Sequence, residues 1–420
     1  MNILFISEDI PYPGLSGSSV IGYEFIKFFK KNNHQVSILN PTFINDSEDL
    51  KFKRKQLKTL LSEGFNIQNI EFSKKKIKPK RNIFSRLIRL DISDFYPLCG
   101  HYEEIKDKLS IIIKQSNPDI IFAYGFTAIY LTHHIKSIPR FAPICEHPGH
   151  ILLSNWKNKV VVRNFQNLIS LVKSQLIMRQ ISFHFEKCNL KGHSSDDFRK
   201  SFIRMGVTNC KYYNHPFSDN KNIKTEIESK NFTKNKKFKI ILLGALSSVN
   251  ISHYQLLESI ILPQLEKILP ANTFEIHLIG SKSEKKFQKL YENEHIVQRG
   301  YVEDISKEFI SCDLVLSPTP SQYGLRVRLI EAMLYACPIV TTKFDSNAFP
   351  ILKHKFNSLI AEKMEEIAEM ILELYKDRNL SKQISNNARK SYENFCTPDI
   401  ACREYETDMI KIVKKFYGKN

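Results

Sequence analysis

The stretch SPTPSQYGLRVRLIEAMLYACPIVTT, Ser317 to Thr342, decides how this chain is read. An apolar strand, Leu314 to Leu316, feeds a loop rich in Pro, Ser and Gly, and a helical pattern begins near Arg326 with Leu329, Ile330 and Met333 at core spacing. Such a loop brings a helix N-terminus to solvent, where free backbone N–H groups and the positive end of the dipole suit a diphosphate. Arg326 and Arg328 place two cations in the first turn. A basic side chain there opposes the dipole, so helix stability does not account for them. Glu331 stands one turn further on, where a carboxylate can accept hydrogen bonds from two vicinal hydroxyls such as a ribose offers.

Outward from this stretch the chain alternates strand and helix. Phe238 to Leu243, Phe274 to Ile279, His295 to Gln298, Asp313 to Leu316 and Pro338 to Thr342 read as buried strands, with helices over His253 to Leu269 and Ile305 to Ile310. Upstream, Ile3 to Ser7, Val36 to Leu39, Asp119 to Ala123 and Ala142 to Cys145 read as strands beside helices such as Val20 to Lys31 and Tyr102 to Lys114. A largely helical section follows from Ile151 to Asn189. Alternation of this kind implies parallel sheets with helices on both faces. The fold class is therefore α/β with two Rossmann-like domains, 1–217 and 238–395, joined by the polar stretch 218–237, with 396–420 as a C-terminal helix crossing back to the first domain.

The run Gly324-x-Arg326-x-Arg328-x-x-Glu331-Ala332-Met333, followed by Pro338-Ile339-Val340, resembles the donor-site signature of family 4 nucleotide-sugar glycosyltransferases. These have the GT-B fold, two Rossmann-like domains facing a cleft. Two positions depart from the family pattern: Tyr323 stands where one branch carries a Glu, and Ala336 replaces the Gly before the Cys-Pro turn. Leu243-Gly244-Ala245-Leu246 with Asn250, and a helix ending at Leu262-Pro263, resembles the first strand, loop and helix of the family's nucleotide domain, without its loop Arg and Lys. Gly300-Tyr301-Val302-Glu303-Asp304 is similar to the Gly-x-Val-x-Asp turn that lies against the nucleotide base. The resemblance thus implies a donor site of Gly17, Gly244, Asn250, Tyr301, Val302, Tyr323, Gly324, Leu325, Arg326, Arg328 and Glu331, with Arg326 and Arg328 as catalytic groups; His147 joins them as a catalytic candidate from its place after a strand, on the acceptor or sugar side. It implies glycosyl transfer with retention, the leaving diphosphate stabilised by cations and a helix end, with no metal and no cofactor besides the donor substrate.

The first domain carries less specific signals. Pro11 to Ser19 follows the first strand and opens a helix, so Gly17 lets backbone approach phosphates, or it simply forms a βα turn. Cys145-Glu146-His147-Pro148-Gly149-His150 lies after a strand, at the edge where α/β sheets build sites, and a solvated His147 is the plain alternative. Ser195 reads as a helix N-cap. Asp196-Asp197 and Asp91-x-x-Asp94 read as structural, not as a metal pair.

A net charge of +18 is partly local. Lys74, Lys75, Lys76, Lys78, Lys80, Arg81, Arg86 and Arg89 interleave with Ile77, Ile83, Phe84, Leu87 and Ile88. That mixture fits either an anionic membrane surface, at roughly 1 kcal/mol per basic residue, or a solvated loop. No nucleic-acid-binding motif accompanies the charge. The eight cysteines form no C-x-x-C pair and read as reduced thiols, and no signal peptide or spanning run is seen, Ile120 to Leu131 being too short. A cytoplasmic protein, peripheral on the inner membrane face and acting on a glycan or lipid-linked acceptor in surface polysaccharide synthesis, is the expectation. The alternatives are a GT-B scaffold subunit that no longer transfers sugar and a sugar-nucleotide epimerase.

Overall fold

The computed structural model describes residues 1–13, 16–44, 47–73, 96–144, 165–219, 237–244, 251–280, 287–321 and 327–418. The chain divides into two compact units, Met1–Phe217 with Pro398–Asn420, and Ser218–Thr397. Residues 220–236, most of the expected linker, lie outside the described set, as does the basic segment 74–89.

In the first unit the strands are β1 Asn2–Ser7, β2 Gln35–Ile44, β3 Asn66–Ser73, β4 Ile120–Tyr124, β5 Arg140–Ile144, β6 Leu190–His193 and β7 Cys210–Tyr212. They form one parallel sheet in the order β3-β2-β1-β4-β5-β6-β7. Its helices are α1 Gly17–Lys31, α2 Ser47–Ser62, α3 Tyr102–Ser116, α4 Phe126–Leu131, α5 Phe165–Glu186 and α6 Asp196–Arg204. β1 and β4 are buried along nearly their whole length, as strands covered by helices on both faces must be. The order reverses between β1 and β4, which opens a crevice at their carboxyl ends.

The second unit repeats the plan. β8 Phe238–Leu243, β9 Phe274–Ile279, β10 Ile296–Gly300, β11 Leu314–Ser317, β12 Ile339–Thr342 and β13 Leu359–Ala361 form a parallel sheet in the order β10-β9-β8-β11-β12-β13. Its helices are α7 Ile251–Leu256, α8 Leu262–Ile268, α9 Gln288–Tyr291, α10 Ser306–Ser311, α11 Val327–Leu334, α12 Lys343–Ala348, α13 Glu366–Lys376 and α14 Arg378–Phe395. The helical stretch expected over His253 to Leu269 runs from Ile251 to Ile268, past the Leu262-Pro263 at which the family resemblance placed a helix end. A π-turn at Leu257–Ile261 joins α7 to α8, and the Leu262 N–H bonds to the Leu257 carbonyl. That wider turn meets the two demands of Pro263, which lacks an N–H and crowds the carbonyl one turn back.

The last helix, α15 Pro398–Phe416, belongs to the first unit. Tyr405 packs against Phe25 of α1 and Tyr213, with ring centroids 4.7 and 4.3 Å away. Glu406 meets His34 Nε2 at 2.6 Å, and Asp408 accepts from the Tyr213 hydroxyl at 2.8 Å and from Lys211 Nζ at 2.7 Å. Tyr213 reaches this place by lying over Gly192, where a Cβ would stand 2.8 Å from its ring.

The seven described cysteines are buried. Burial pushes the Cys188 thiol up to about 11 and Cys210 to about 12, so these stay protonated and unreactive at neutral pH. Among the described residues no helix is long and apolar enough to cross a membrane.

Candidate functional site

Three segments of the second unit converge on the carboxyl edge of its sheet. β8 ends in Gly244, whose φ of 138° is one that L side chains rarely adopt; its N–H bonds to Ile279 and its carbonyl accepts from the Tyr254 hydroxyl. β10 ends in the turn Gly300–Asp304, where Tyr301 is 83% exposed and Val302 half-buried. Asp304 Oδ1 accepts the backbone N–H and hydroxyl of Ser306, so this acid fastens the turn to α10. β11 leads through Pro318 to Ser321 towards α11.

On α11, Leu329, Ile330 and Met333 are fully buried, as their spacing predicts, and Arg328 and Glu331 are half-buried. Protein packed around Glu331 pushes its carboxyl up to about 7, with Arg328 pulling in the opposite direction. The group therefore changes charge near neutral pH, which an exposed glutamate does not. One turn on, Tyr335 stacks on Phe309 at 4.9 Å, makes a side-chain hydrogen bond with Ser306, and feels both Glu331 and Asp304. Tyr335 thereby ties α11 to the turn after β10. The helix closes through Ala336 at φ 47°, the left-handed conformation in which Gly is usual. Ser385 Oγ donates to the Ala336 carbonyl and Arg389 to that of Leu334, which satisfies the helix end.

One group at this edge escaped the sequence reading. Asp345, 2% exposed, accepts from Ser317 Oγ and Thr319 Oγ1 at 2.8 Å and from Thr341 Oγ1 at 2.6 Å, all on Oδ2. Thr342 Oγ1 donates to the Thr319 carbonyl at 2.7 Å. This buried network fixes the start of the loop that leads into α11. Four hydroxyl residues at two adjoining strand ends were its only signal, and their shared partner is set by α12 folding back.

Of the expected donor residues, Gly244, Tyr301, Val302, Arg328 and Glu331 thus share one unit and one sheet edge. Asn250, Tyr323, Gly324, Leu325, Arg326 and His147 lie outside the described residues. Gly17 is the first residue of α1 in the first unit, where the Ser16 hydroxyl caps the Ser19 N–H. The Asp9 carboxylate accepts from Ser16 Oγ and Ser18 Oγ, so an anion of the chain itself already stands beside this helix end.

A cavity of about 180 Å³ lies in the first unit at the carboxyl ends of β1 and β4, lined among others by Glu8, Tyr96, Tyr124, Phe126, Thr127 and Ile144. Thr127 Oγ1 donates to Glu8 Oε2 at 2.6 Å. Burial raises the Glu8 carboxyl, the Thr127 hydrogen bond opposes the rise, and Asp9 adds to it more than Lys53 offsets. Beyond Ile144, Ser195 takes the N-cap position of α6, but the expected capping bond is missing. His193 Nδ1 instead accepts the Ser195 N–H, and the Ser195 hydroxyl is buried without a partner. Asp196 is engaged by Arg199 and Lys200 at 2.6 and 2.7 Å. Among the described residues no group of three or more His, Cys, Asp or Glu side chains could hold a metal ion.

Residues 237–377, which span β8 to α13, match the family model described as glycosyl transferases group 1. Over the whole chain the structure is similar to HepE of Anabaena solved in complex with UDP, at 15% identity and TM-score 0.66, covering 98% of this chain and 100% of that one. It is also similar to a glycosyltransferase from Rickettsia africae, at 14% identity and TM-score 0.63, covering 98% of each chain. The chain has the GT-B fold, and its segment 237–377 is related to the group 1 glycosyl transferases. Likeness to a third structure, TarM of S. aureus, at 12% identity and TM-score 0.62, covers 97% of this GT-B chain and 98% of that one. No curated protein matches in sequence. All the described donor candidates of the second unit fall inside the group 1 segment, whereas the cavity beside Glu8 falls outside it.

Proposed function

We propose that this protein transfers a sugar from a nucleoside-diphosphate sugar to a hydroxyl of a glycan or lipid-linked acceptor in the synthesis of a surface polysaccharide or glycoconjugate. The observation that carries this reading is α11, a helix inside the group 1 segment that sets Arg328 and a half-buried Glu331 of raised proton affinity one turn apart. In this reading Arg326, Arg328 and the N–H groups opening α11 take the diphosphate, and Glu331 takes the ribose hydroxyls. Gly244, Asn250, Tyr301, Val302, Tyr323, Gly324 and Leu325 line the rest of the donor, and His147 stands on the acceptor side.

The reaction proposed is retaining and independent of a metal. The bond between the anomeric carbon and the diphosphate oxygen breaks, the acceptor oxygen bonds to that carbon on the same face, and its proton passes to a diphosphate oxygen. The protein's contribution is electrostatic, since fixed cations and a helix end stabilise the charge that gathers on the leaving group. A single such donor contributes about 3 kcal/mol in other enzymes. The proposal includes a peripheral position at the cytoplasmic face of a membrane, for which the support is the basic, partly apolar segment 74–89.

The test is thermal stabilisation by UDP, GDP, ADP, CMP and dTDP with Glu331→Ala run alongside. UDP heads the panel because HepE was solved with UDP and with UDP-glucose. One nucleotide is expected to stabilise the protein, and Glu331→Ala to abolish the shift. No shift with any nucleotide would refute the reading.

A further inference from the structure

Beyond Ser317 the chain cannot extend the ladder of β11, because Pro318 and Pro320 have no N–H to give a neighbouring strand. Side chains take over there, and they converge on one buried carboxylate. We infer that Asp345 is a positioning residue of the donor site: by fixing Ser317 and Thr319 it sets the approach to α11 at which a diphosphate is gripped. This assignment rests on the transferase reading and adds to it a residue outside the donor signature.

Thr319 is held at three points. Its hydroxyl donates to Asp345 Oδ2 at 2.8 Å, its carbonyl accepts from Thr342 Oγ1 at 2.7 Å, and its N–H bonds to the Ser317 carbonyl at 2.9 Å. Ser317 and Thr341 bring their hydroxyls to the same carboxylate oxygen, at 2.8 and 2.6 Å, so the ends of β11 and β12 share one acceptor. Hydrogen bonds to a carboxylate are stronger than those between neutral groups, and a buried network whose members are engaged is rigid. From this anchor only residues 322–326 lead to Val327, the first residue of α11, and the helix is itself fixed by Leu329, Ile330 and Met333 in the core. With so short a tether, a shift of Ser317–Ser321 is passed on to the approach to α11.

The stability of α12 does not account for this arrangement. Thr342 stands at the N-cap of α12, where a threonine hydroxyl ordinarily takes an N–H of its own helix. It makes no such bond, and the hydroxyl goes to the Thr319 carbonyl instead. Asp345, in the first turn of the same helix, is 2% exposed, and burying a carboxylate is costly unless its charge is answered. The hydroxyls that answer it come from Ser317, Thr319 and Thr341, two of them from the segment that leads to α11. Both residues thus forgo local stabilisation to hold that segment, as a site does when its groups must be in place before the ligand arrives.

The experiment measures, on the full-length protein, the affinity of the nucleoside diphosphate that the native chain selects from the panel above and of the matching nucleoside, by calorimetry and saturation-transfer NMR. The variants are Asp345→Ala, Asp345→Asn and Thr319→Val, with melting temperatures showing which of them fold. The diphosphate should bind at least tenfold more weakly to Asp345→Ala and at least threefold more weakly to Thr319→Val. The nucleoside, held in this reading by Glu331 and the turn after β10, should change less than twofold. Asp345→Asn keeps the shape and an acceptor oxygen and should recover part of the loss. If Asp345→Ala does not fold, Asp345→Asn and Thr319→Val decide by the same comparison. Diphosphate affinity unchanged in the folded variants, or diphosphate and nucleoside weakened alike, would overturn the positioning role and leave the transferase reading standing. A native chain that binds no nucleotide would refute the transferase reading and this role with it.

Discussion

Replacing Glu331 with Gln should stabilise the free protein, increasingly as pH rises from about 4.5 to 7 and without further change above that. Burial holds the Glu331 carboxyl at about 7 against an ordinary 4.5. At pH 8 the native state keeps an ionised group that the unfolded chain solvates better, a cost on the order of 3 kcal/mol. Below pH 4.5 the group is neutral in both states and the cost vanishes. Between pH 4.5 and 7 the folded state binds more protons than the unfolded state, so this contribution to stability falls as pH rises through that window and levels off above 7. Glu331→Gln keeps the shape of the side chain and never ionises. Its advantage over the native chain should therefore grow by on the order of 3 kcal/mol from pH 5 to pH 8. For a unit of this size, that is roughly 6 to 12 °C in the melting temperature of the group 1 segment by scanning calorimetry. Function should move the opposite way. A ribose held by the carboxylate needs it ionised, about a tenth of molecules at pH 6 and nine tenths at pH 8, so the affinity for a nucleotide sugar should rise about tenfold over that range. A nucleotide sugar is the right ligand because its diphosphate does not titrate there. A stability difference that stays the same at pH 5 and pH 8 would refute the burial argument, and pH-independent binding would refute the ribose contact.

Replacing Arg326 and Arg328 together with Ala should remove most nucleotide affinity in calorimetry, and unchanged binding would rule out their role at the diphosphate. His184 packs among Phe126, Tyr130 and His133, and burial, then the charge of His133, lowers its imidazole to about 4. The unfolded chain binds the extra proton between pH 6.5 and 4, so the first unit should lose on the order of 3 kcal/mol over that fall. In His184→Phe, which keeps the ring contacts, the acid side of the stability profile should flatten, and an unchanged profile would exclude this origin. For segment 74–89, liposome flotation should recover more protein with anionic than with neutral lipid; equal recovery would dismiss the membrane contact.

The sequence by itself determined the doubled α/β plan and the course of helix α11. Both rest on local patterns: buried parallel strands such as Phe238–Leu243 are continuous apolar runs, and Arg328 and Glu331 share a helix whose phase Leu329, Ile330 and Met333 set. The strands that did not show, β3, β6, β7 and β13, are short or half polar, and they become strands because neighbours offer them a ladder. Only the tertiary structure decided what depends on residues far apart in the chain. Asp345 joins hydroxyls from two strands, Tyr335 ties α11 to the turn after β10, and Glu8 meets Thr127 across the switch point. Burial, not the identity of the residue, lifts Glu331 to about 7, because a carboxyl's proton affinity is set by the water and charge around it.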